Sequence, residues 1–182
     1  MFEFLKIIAL AVAAAVLYGV IHDQFTARIC VEYFTIGHPP MFATESPTLL
    51  ALGWGVIATW WVGVILGIPA AWLARVGSKP KISAARLIRP IAFLLAIMAT
   101  GAATVGSVAY VLAGNGTLVL TGPIAQRVPE AKHAAFIADG GAHLASYGIG
   151  FLGGVVLCLW IWRERMTRGM ARATSRQRMN AP

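Results

Sequence analysis

Acidic residues are scarce in this sequence. Its 182 residues include seven Asp and Glu against fifteen Lys and Arg, and charged residues make up only 12% of the chain. A soluble domain usually carries about 25% charged residues, so the scarcity argues against one, and a hydrophobic content of 58% favours a membrane protein. No RNA- or DNA-binding motif accompanies the net charge of +8, which argues against nucleic acid as a partner.

Cysteine is also scarce, with only Cys30 and Cys158 in the chain. Cys30 falls in a polar segment and Cys158 deep in the last apolar run, so the two are predicted at different depths and no disulfide is expected. Cys30 has two interpretations, a soft metal ligand or a small buried thiol, and the second is favoured.

Catalytic signatures are missing as well. The sequence has no H-E-x-x-H motif, no paired C-x-x-C motif, no nucleophile elbow and no glycine-rich phosphate loop. No charged residue falls in the middle of an apolar run, which argues against an ion pump with a central relay.

What the chain does have is long apolar runs, at about residues 4–21, 49–74, 87–112 and 143–162. They predict an all-α membrane protein, a four-transmembrane-helix bundle in a single domain over residues 1–162 that contacts the lipid bilayer. The first run could be a cleaved signal peptide, but it continues to Ile21 and a retained helix is favoured.

The last apolar run extends back to Pro129, which makes it too long for one span. A helix over residues 129–162 would be about 50 Å long against a hydrocarbon core of about 30 Å. The spanning part is therefore predicted to begin near His143, with a hinge at Gly140 and Gly141. Two G-x-x-x-G patterns, which begin at Gly63 and Gly150, predict close helix packing inside the bundle, and a homodimer face stays open.

Basic residues fix the predicted orientation, because positive charge concentrates on the cytoplasmic side of bacterial inner membranes. The link between the second and third runs and the C-terminal tail hold most of them: Arg75, Lys79, Lys81, Arg86, Arg89, Arg163, Arg165, Arg168, Arg172, Arg176 and Arg178. Both termini are predicted in the cytoplasm, and residues 163–182 are predicted to form a disordered basic tail. The connections 22–48 and 113–142 then form an extracytoplasmic cap made of two loops.

Histidines and acids concentrate in these two outward connections. All four His and most of the acids lie in or beside them, so side chains from distant parts of the chain should meet at one membrane surface. The side chains predicted as ligands are His22, Asp23, Asp139 and His143, followed by Glu32 and His38. Imidazole and carboxylate groups suit a divalent transition metal such as Zn, Fe, Mn or Cu.

Two other functions remain open. The first is a non-catalytic subunit of a membrane complex, whose cap is held by an ion pair of Arg28 with Asp23 or Glu32 and offers Tyr33, Phe34 and Met41 to a protein partner. The second is an enzyme that acts on a lipid or quinone, which requires an apolar pocket beside His143.

Two segments carry a resemblance: residues 22–39, which begin with His22-Asp23 and end with Thr35-Ile36-Gly37-His38-Pro39, and the run from Trp54 to Gly63. They resemble a family of uncharacterised bacterial four-helix integral membrane proteins, over most of the chain up to about Trp162. The resemblance implies the same fold and topology. That family has no assigned activity, so the resemblance implies no ligand or catalytic residue.

Overall fold

The structure is a computed structural model that describes residues 1–179, apart from the side chains of residues 172 and 175–178. Within that part of the chain it contains helices and no strand. The α-helices in chain order are α1 (Phe2–Ile29), α2 (Val31–Thr35), α3 (Pro47–Ile57), α4 (Trp60–Arg75), α5 (Ala84–Gly114), α6 (Gly122–Arg127) and α7 (His133–Met179), and a 3-10 turn (Glu130–Lys132) precedes α7.

Four stretches of the described chain are long and apolar enough to cross a membrane. They are Phe2–Ile29, Pro47–Arg75, Ala84–Gly114 and Glu130–Ala171, each of which contains 18 consecutive residues with a mean hydropathy of 2.0 or more. Large apolar side chains such as Leu17, Phe93 and Leu152 are exposed on their outer faces. Since a water-soluble protein would bury such side chains, the prediction of an all-α membrane protein with four spanning helices is confirmed.

The first helix is longer than its apolar run. It passes residue 21, where we predicted its end, and continues to Ile29, and the backbone N–H of Cys30 still donates to the carbonyl of Thr26 at 2.9 Å. No glycine or proline interrupts this stretch, so nothing in it breaks the helix. His22 and Asp23 therefore lie inside a helix, which fixes the direction in which their side chains project.

The second span is divided, although the sequence predicted one helix over residues 49–74. α3 ends at Ile57 and α4 begins at Trp60, so Ala58 and Thr59 form a break. The hydroxyl of Thr59 donates to the carbonyl of Gly55, a local hydrogen bond that competes with the helical ladder. The second span therefore consists of two successive helices, α3 and α4, joined at Ala58 and Thr59.

The last helix runs without interruption from His133 through Gly140 and Gly141 to Met179. We predicted a hinge at the glycines and a disordered tail from residue 163, and the structure differs at both places. In the tail, Arg168 donates to Glu164 at 2.9 Å within the helix, and Glu164 also pairs with Arg86 of α5 at 2.5 Å. Residues 180–182 of the predicted tail lie outside the described residues.

Arg165 connects the tail to the link between α4 and α5. Its guanidinium donates to the backbone carbonyls of Leu73, Val76, Lys79 and Pro80, and only 5% of the residue is exposed. Carbonyls at the end of a helix have no partner within it, and a buried cation needs several acceptors. The side chain therefore satisfies both requirements at once.

Small residues allow the helices to approach closely. α1 packs mainly against α3 and α4, and α5 packs mainly against α7. At Gly63 of α4 an added Cβ would lie 2.5 Å from the Cα of Val12 on α1, so only glycine fits at this crossing. Gly150 of α7 faces the flexible end of the Met98 side chain on α5, which could shift to admit a Cβ. Both predicted G-x-x-x-G patterns thus begin with glycines that face a neighbouring helix of the same bundle.

At the other end of the bundle the two outward connections meet. Cys30, Val128 and Phe136 form one buried apolar cluster, and the ring of Phe136 lies 5.2 Å from the ring of Tyr33. A second cluster joins α2 to α3, with the buried residues Ala27, Phe34, Leu50, Ala51 and Trp54. The cap is therefore an ordered structure with its own apolar core.

Candidate functional site

A group of three ligand-type side chains lies where α1 and α7 meet beneath the cap. His22 and Asp23 come from α1 and His143 comes from α7, and one ligand atom of each lies within 4.8 Å of the others. The side chains of Asp23 and His143 are only 7% and 12% exposed. Because α1 continues past residue 21, the side chains of His22 and Asp23 project from a helix and lie beside His143 of α7.

His143 has a defined tautomer. Its Nδ1–H donates to the backbone carbonyl of Asp139 at 2.8 Å, one helical turn earlier. In a neutral imidazole the other nitrogen, Nε2, then carries a lone pair, and this nitrogen lies 3.2 Å from Oδ1 of Asp23. Two acceptors face each other at that point, so the pair requires a cation between them, either a proton or a metal ion. A ring nitrogen held by a backbone carbonyl is also the usual support of a metal-binding histidine.

His22 contributes a nitrogen without a partner. Its Nε2 is buried and has no hydrogen bond to any described residue. The ring stacks on Tyr18 at 5.6 Å and meets the ring of His143 edge-on at 4.6 Å. Buried polar atoms without a partner are rare in proteins, and each calls for a ligand, an ion or a water molecule.

Aromatic rings cover the site on its cap side. The ring of His143 stacks on Tyr33 at 4.7 Å and meets Phe34 at 5.8 Å. A cavity of about 100 Å³ adjoins the three side chains, and its polar wall is formed by Tyr18, His22, Asp23, Tyr33, His38, Trp54, Thr59, His143, Ser146 and Tyr147. The cavity has room for a few water molecules or a small substrate group beside the ligand atoms.

Tyr18 and Ser146 complete the site, and sequence reasoning missed the role of both. The Tyr18 hydroxyl and the Ser146 hydroxyl form a hydrogen bond of 2.8 Å that joins α1 to α7 below the histidines. Tyr18 lies four residues before His22 and Ser146 three residues after His143, so each shares a helical face with a predicted ligand. That spacing was the available signal.

The three other predicted ligands lie outside this group. His38 donates from Nδ1 to the carbonyl of Tyr33 at 2.8 Å and packs on Trp54 at 4.5 Å, so it holds the cap together although it also lines the cavity. Glu32 accepts a bond from Cys30 and lies 4.0 Å from Lys132.

Asp139, the last of the three, acts on His143 through its backbone carbonyl. Its carboxylate is almost fully buried, and its Oδ2 has no hydrogen bond to any described residue. His133, the remaining histidine, donates from Nε2 to the carbonyls of Val128 and Ala125, so it supports the turn before α7.

The cap around the site has a low polarity that affects its titratable groups. Burial raises the pKa of the Tyr33 hydroxyl to about 12, and it likewise raises the pKa of the Cys30 thiol to about 12. Cys30 is fully buried and donates to Glu32, and neither cysteine is in a disulfide. Cys30 is therefore a small buried thiol, the interpretation that the sequence favoured.

The proposed ion pair of Arg28 does not form. Arg28 donates to the carbonyl and side chain of Gln24 and to the hydroxyl of Thr48, which ties α1 to the start of α3. Asp23 is engaged with His143 instead. The surface predicted for a partner is also altered, since Phe34 is buried inside the cap while Met41 is exposed. Arg28 and Asp23 lie on different faces of α1, which sequence spacing of five residues already implied.

No protein-family model, no curated protein and no solved structure matches this chain. The resemblance to bacterial four-helix membrane proteins therefore stays a prediction from the sequence.

Proposed function

We propose that this membrane protein binds a divalent transition metal ion through His22, Asp23 and His143. The observation that carries the proposal is the pair His143–Asp23. The proton on Nδ1 of His143 is committed to a backbone carbonyl, and Nε2 faces a carboxylate oxygen at 3.2 Å. A cation shared by these two groups removes the repulsion, and a ring nitrogen of His22, within 4.8 Å of the other two ligand atoms, supplies a third ligand.

The donor set fits several metals. Two imidazoles and a carboxylate bind Zn, Fe, Mn or Cu(II) in proteins, with ligand atoms about 2.0–2.2 Å from a zinc ion. Ligands at that distance lie about 3.5 Å apart, so side-chain movements of about 1 Å bring the present group into place. Three protein ligands leave a coordination position open, and the adjoining cavity offers it water or a substrate atom.

The orientation of the site belongs to the same proposal. By the distribution of Lys and Arg, the cap faces outward from a bacterial inner membrane and both termini face the cytoplasm. The metal would then be bound at the outer end of the bundle, below an ordered cap that limits its access to water.

The direct test is metal content. We expect the full-length protein, purified in detergent and dialysed against Zn, Mn or Cu(II), or against Fe(II) without oxygen, to retain about one equivalent of one of these metals by elemental analysis. The double variant His22→Ala/His143→Ala should retain none, because two of the three ligands are lost. Asp23→Asn should weaken binding about tenfold or more, since the anionic ligand is lost while the shape of the side chain is kept.

His133→Gln is the matched control, because His133 bonds only backbone carbonyls in the cap. It should leave metal content unchanged. Equal metal content in the double variant and the wild type, with both folded by circular dichroism, would refute the assignment.

A further inference from the structure

A large apolar groove lies between α1 and α5, and His22 lines both this groove and the small cavity. The groove has a volume of about 850 Å³, within the range of pockets that hold small organic ligands. Most of the α5 residues that line the groove are small: Ala96, Ala99, Ala102, Ala103, Gly106 and Ser107. Leu17 and Ile21 of α1 form the opposite wall, and both side chains are well exposed in the membrane-spanning part of the helix.

A buried carboxylate lies in the wall of this apolar groove. Asp139 lines the groove, is only 1% exposed, and has an Oδ2 atom with no hydrogen-bond partner among the described residues. A buried carboxylate oxygen without a donor is costly, so the groove lacks a hydrogen-bond donor at this position. Because Oδ2 is buried, a ligand in the groove reaches it through a rotation of the Asp139 side chain, and a hydroxyl of the ligand then supplies the donor.

Aromatic side chains also line the groove. Tyr18, His22, Phe25 and Tyr110 line it together with Asp139, whereas its remaining walls are mostly aliphatic. Aromatic side chains favour a flat aromatic group, which they contact by stacking or edge-on. The aliphatic walls of Leu17 and Leu95 suit a hydrocarbon tail.

We propose that the groove binds a hydroquinone lipid, with a head-group hydroxyl that donates to Asp139 and a tail that lies between α1 and α5. The ring would lie beside Tyr18 and His22, at the end of the groove nearest the metal ligands. The proposal goes beyond metal binding and does not depend on it, because Asp139 is not among the three ligands that lie together.

The test measures binding of decylubiquinol to the full-length protein in phospholipid nanodiscs without oxygen. The amount retained is compared with that in nanodiscs without protein, after extraction and absorbance measurement. We expect saturable binding with one site per protein. Decylubiquinone has no hydroxyl on its ring to donate, so it should bind about tenfold more weakly, as expected when a buried acceptor oxygen is left without a donor.

Three variants locate the site. Asp139→Asn should weaken decylubiquinol binding about tenfold, because the amide replaces one acceptor oxygen with a donor nitrogen. Ala103→Phe should abolish binding by filling the groove. Ala92→Phe is the matched control, since Ala92 is an exposed alanine of the same helix that does not line the groove, and it should bind as the wild type does.

The proposals of metal binding and of lipid binding can be refuted independently of each other. His143→Ala should lose metal and still bind decylubiquinol, because His143 does not line the groove. Equal retention in nanodiscs with and without the protein would overturn the proposal. Unchanged binding in both Asp139→Asn and Ala103→Phe would also overturn it, even where metal binding is intact. So would equal affinity for decylubiquinol and decylubiquinone, because the hydroxyl would then contribute nothing.

Discussion

Asp139 has two separate roles at the scale of single residues. Its backbone carbonyl fixes the tautomer of His143, whereas its carboxylate belongs to the wall of the groove between α1 and α5. A sequence shows the spacing of Asp139 and His143 but not which part of the aspartate contacts the imidazole. The two candidate binding functions of the molecule therefore meet at one residue, through different atoms.

Cys30 gives a residue-scale prediction about the polarity of the cap. The raised pKa, about 12, means that the thiol stays protonated from pH 7 to pH 10, and its thiolate forms only as the pH approaches 12. Only the thiolate reacts with iodoacetamide, so in a Cys158→Ser background the folded protein should be alkylated at pH 8 about a thousandfold more slowly than the denatured protein. Mass spectrometry of timed samples measures both rates.

The matched control places a cysteine on the surface of the same cap. Met41 is exposed, so a Met41→Cys variant in a Cys30→Ser/Cys158→Ser background should react at the ordinary rate of a free thiol. Rapid alkylation of Cys30 in the folded state would mean that the cap is open to water, and the aromatic cover over His143 would then be open as well.

At the scale of helices, one side chain stabilises the end of the bundle that lies opposite the cap. Arg165 of α7 donates to carbonyls at the end of α4 and in the link that follows it. Arg165→Ala would leave several buried carbonyls without donors, and a hydrogen bond to a charged group contributes about 1.5–3 kcal/mol. We expect a loss of about 2–4 kcal/mol in the free energy of unfolding.

Thermal unfolding in detergent and hydrogen exchange of residues 76–83 measure this effect. The link should exchange faster in Arg165→Ala, and Arg165→Lys should recover only part of the protection, because an ammonium group cannot reach carbonyls in so many directions. Arg168→Ala is the control, since Arg168 pairs with Glu164 at the surface and should change the melting temperature much less. If Arg165→Ala has the same melting temperature as the wild type, Arg165 does not stabilise the link between α4 and α5.

The helices also mark the limit of what the sequence could predict. The number of spans and their approximate positions follow from apolar runs, because the bilayer core requires about twenty apolar residues. The break at Thr59 does not follow, because Thr100 makes the same hydroxyl-to-carbonyl hydrogen bond inside the uninterrupted helix α5, so this local feature does not mark a break. His22, Asp23 and His143 were predicted together from topology, whereas Glu32 and His38 lie elsewhere because the fold of the cap pairs them with Cys30 and Tyr33.

For the whole molecule, the arrangement of charge and polar side chains is asymmetric along the bundle axis. The candidate metal site and the cap lie at one end, and Arg165 with the basic link lies at the other. Positive charge resists translocation, so the end with the link should stay in the cytoplasm. Both ends of the chain would then be cytoplasmic, since α1 begins and α7 ends on that side.

Single cysteines placed at each end test this orientation. In a Cys30→Ser/Cys158→Ser background, Met41→Cys and Lys132→Cys should react with a membrane-impermeant maleimide in intact bacterial spheroplasts, because both positions belong to the outward cap. Ser78→Cys, in the link between α4 and α5, should react only after the membrane is permeabilised. Labelling of Met41→Cys and Lys132→Cys from opposite sides would contradict the hairpin geometry that joins His22 to His143. If Ser78→Cys is labelled in intact spheroplasts while Met41→Cys is protected, the candidate site still stands, but the protein has the opposite orientation in the membrane.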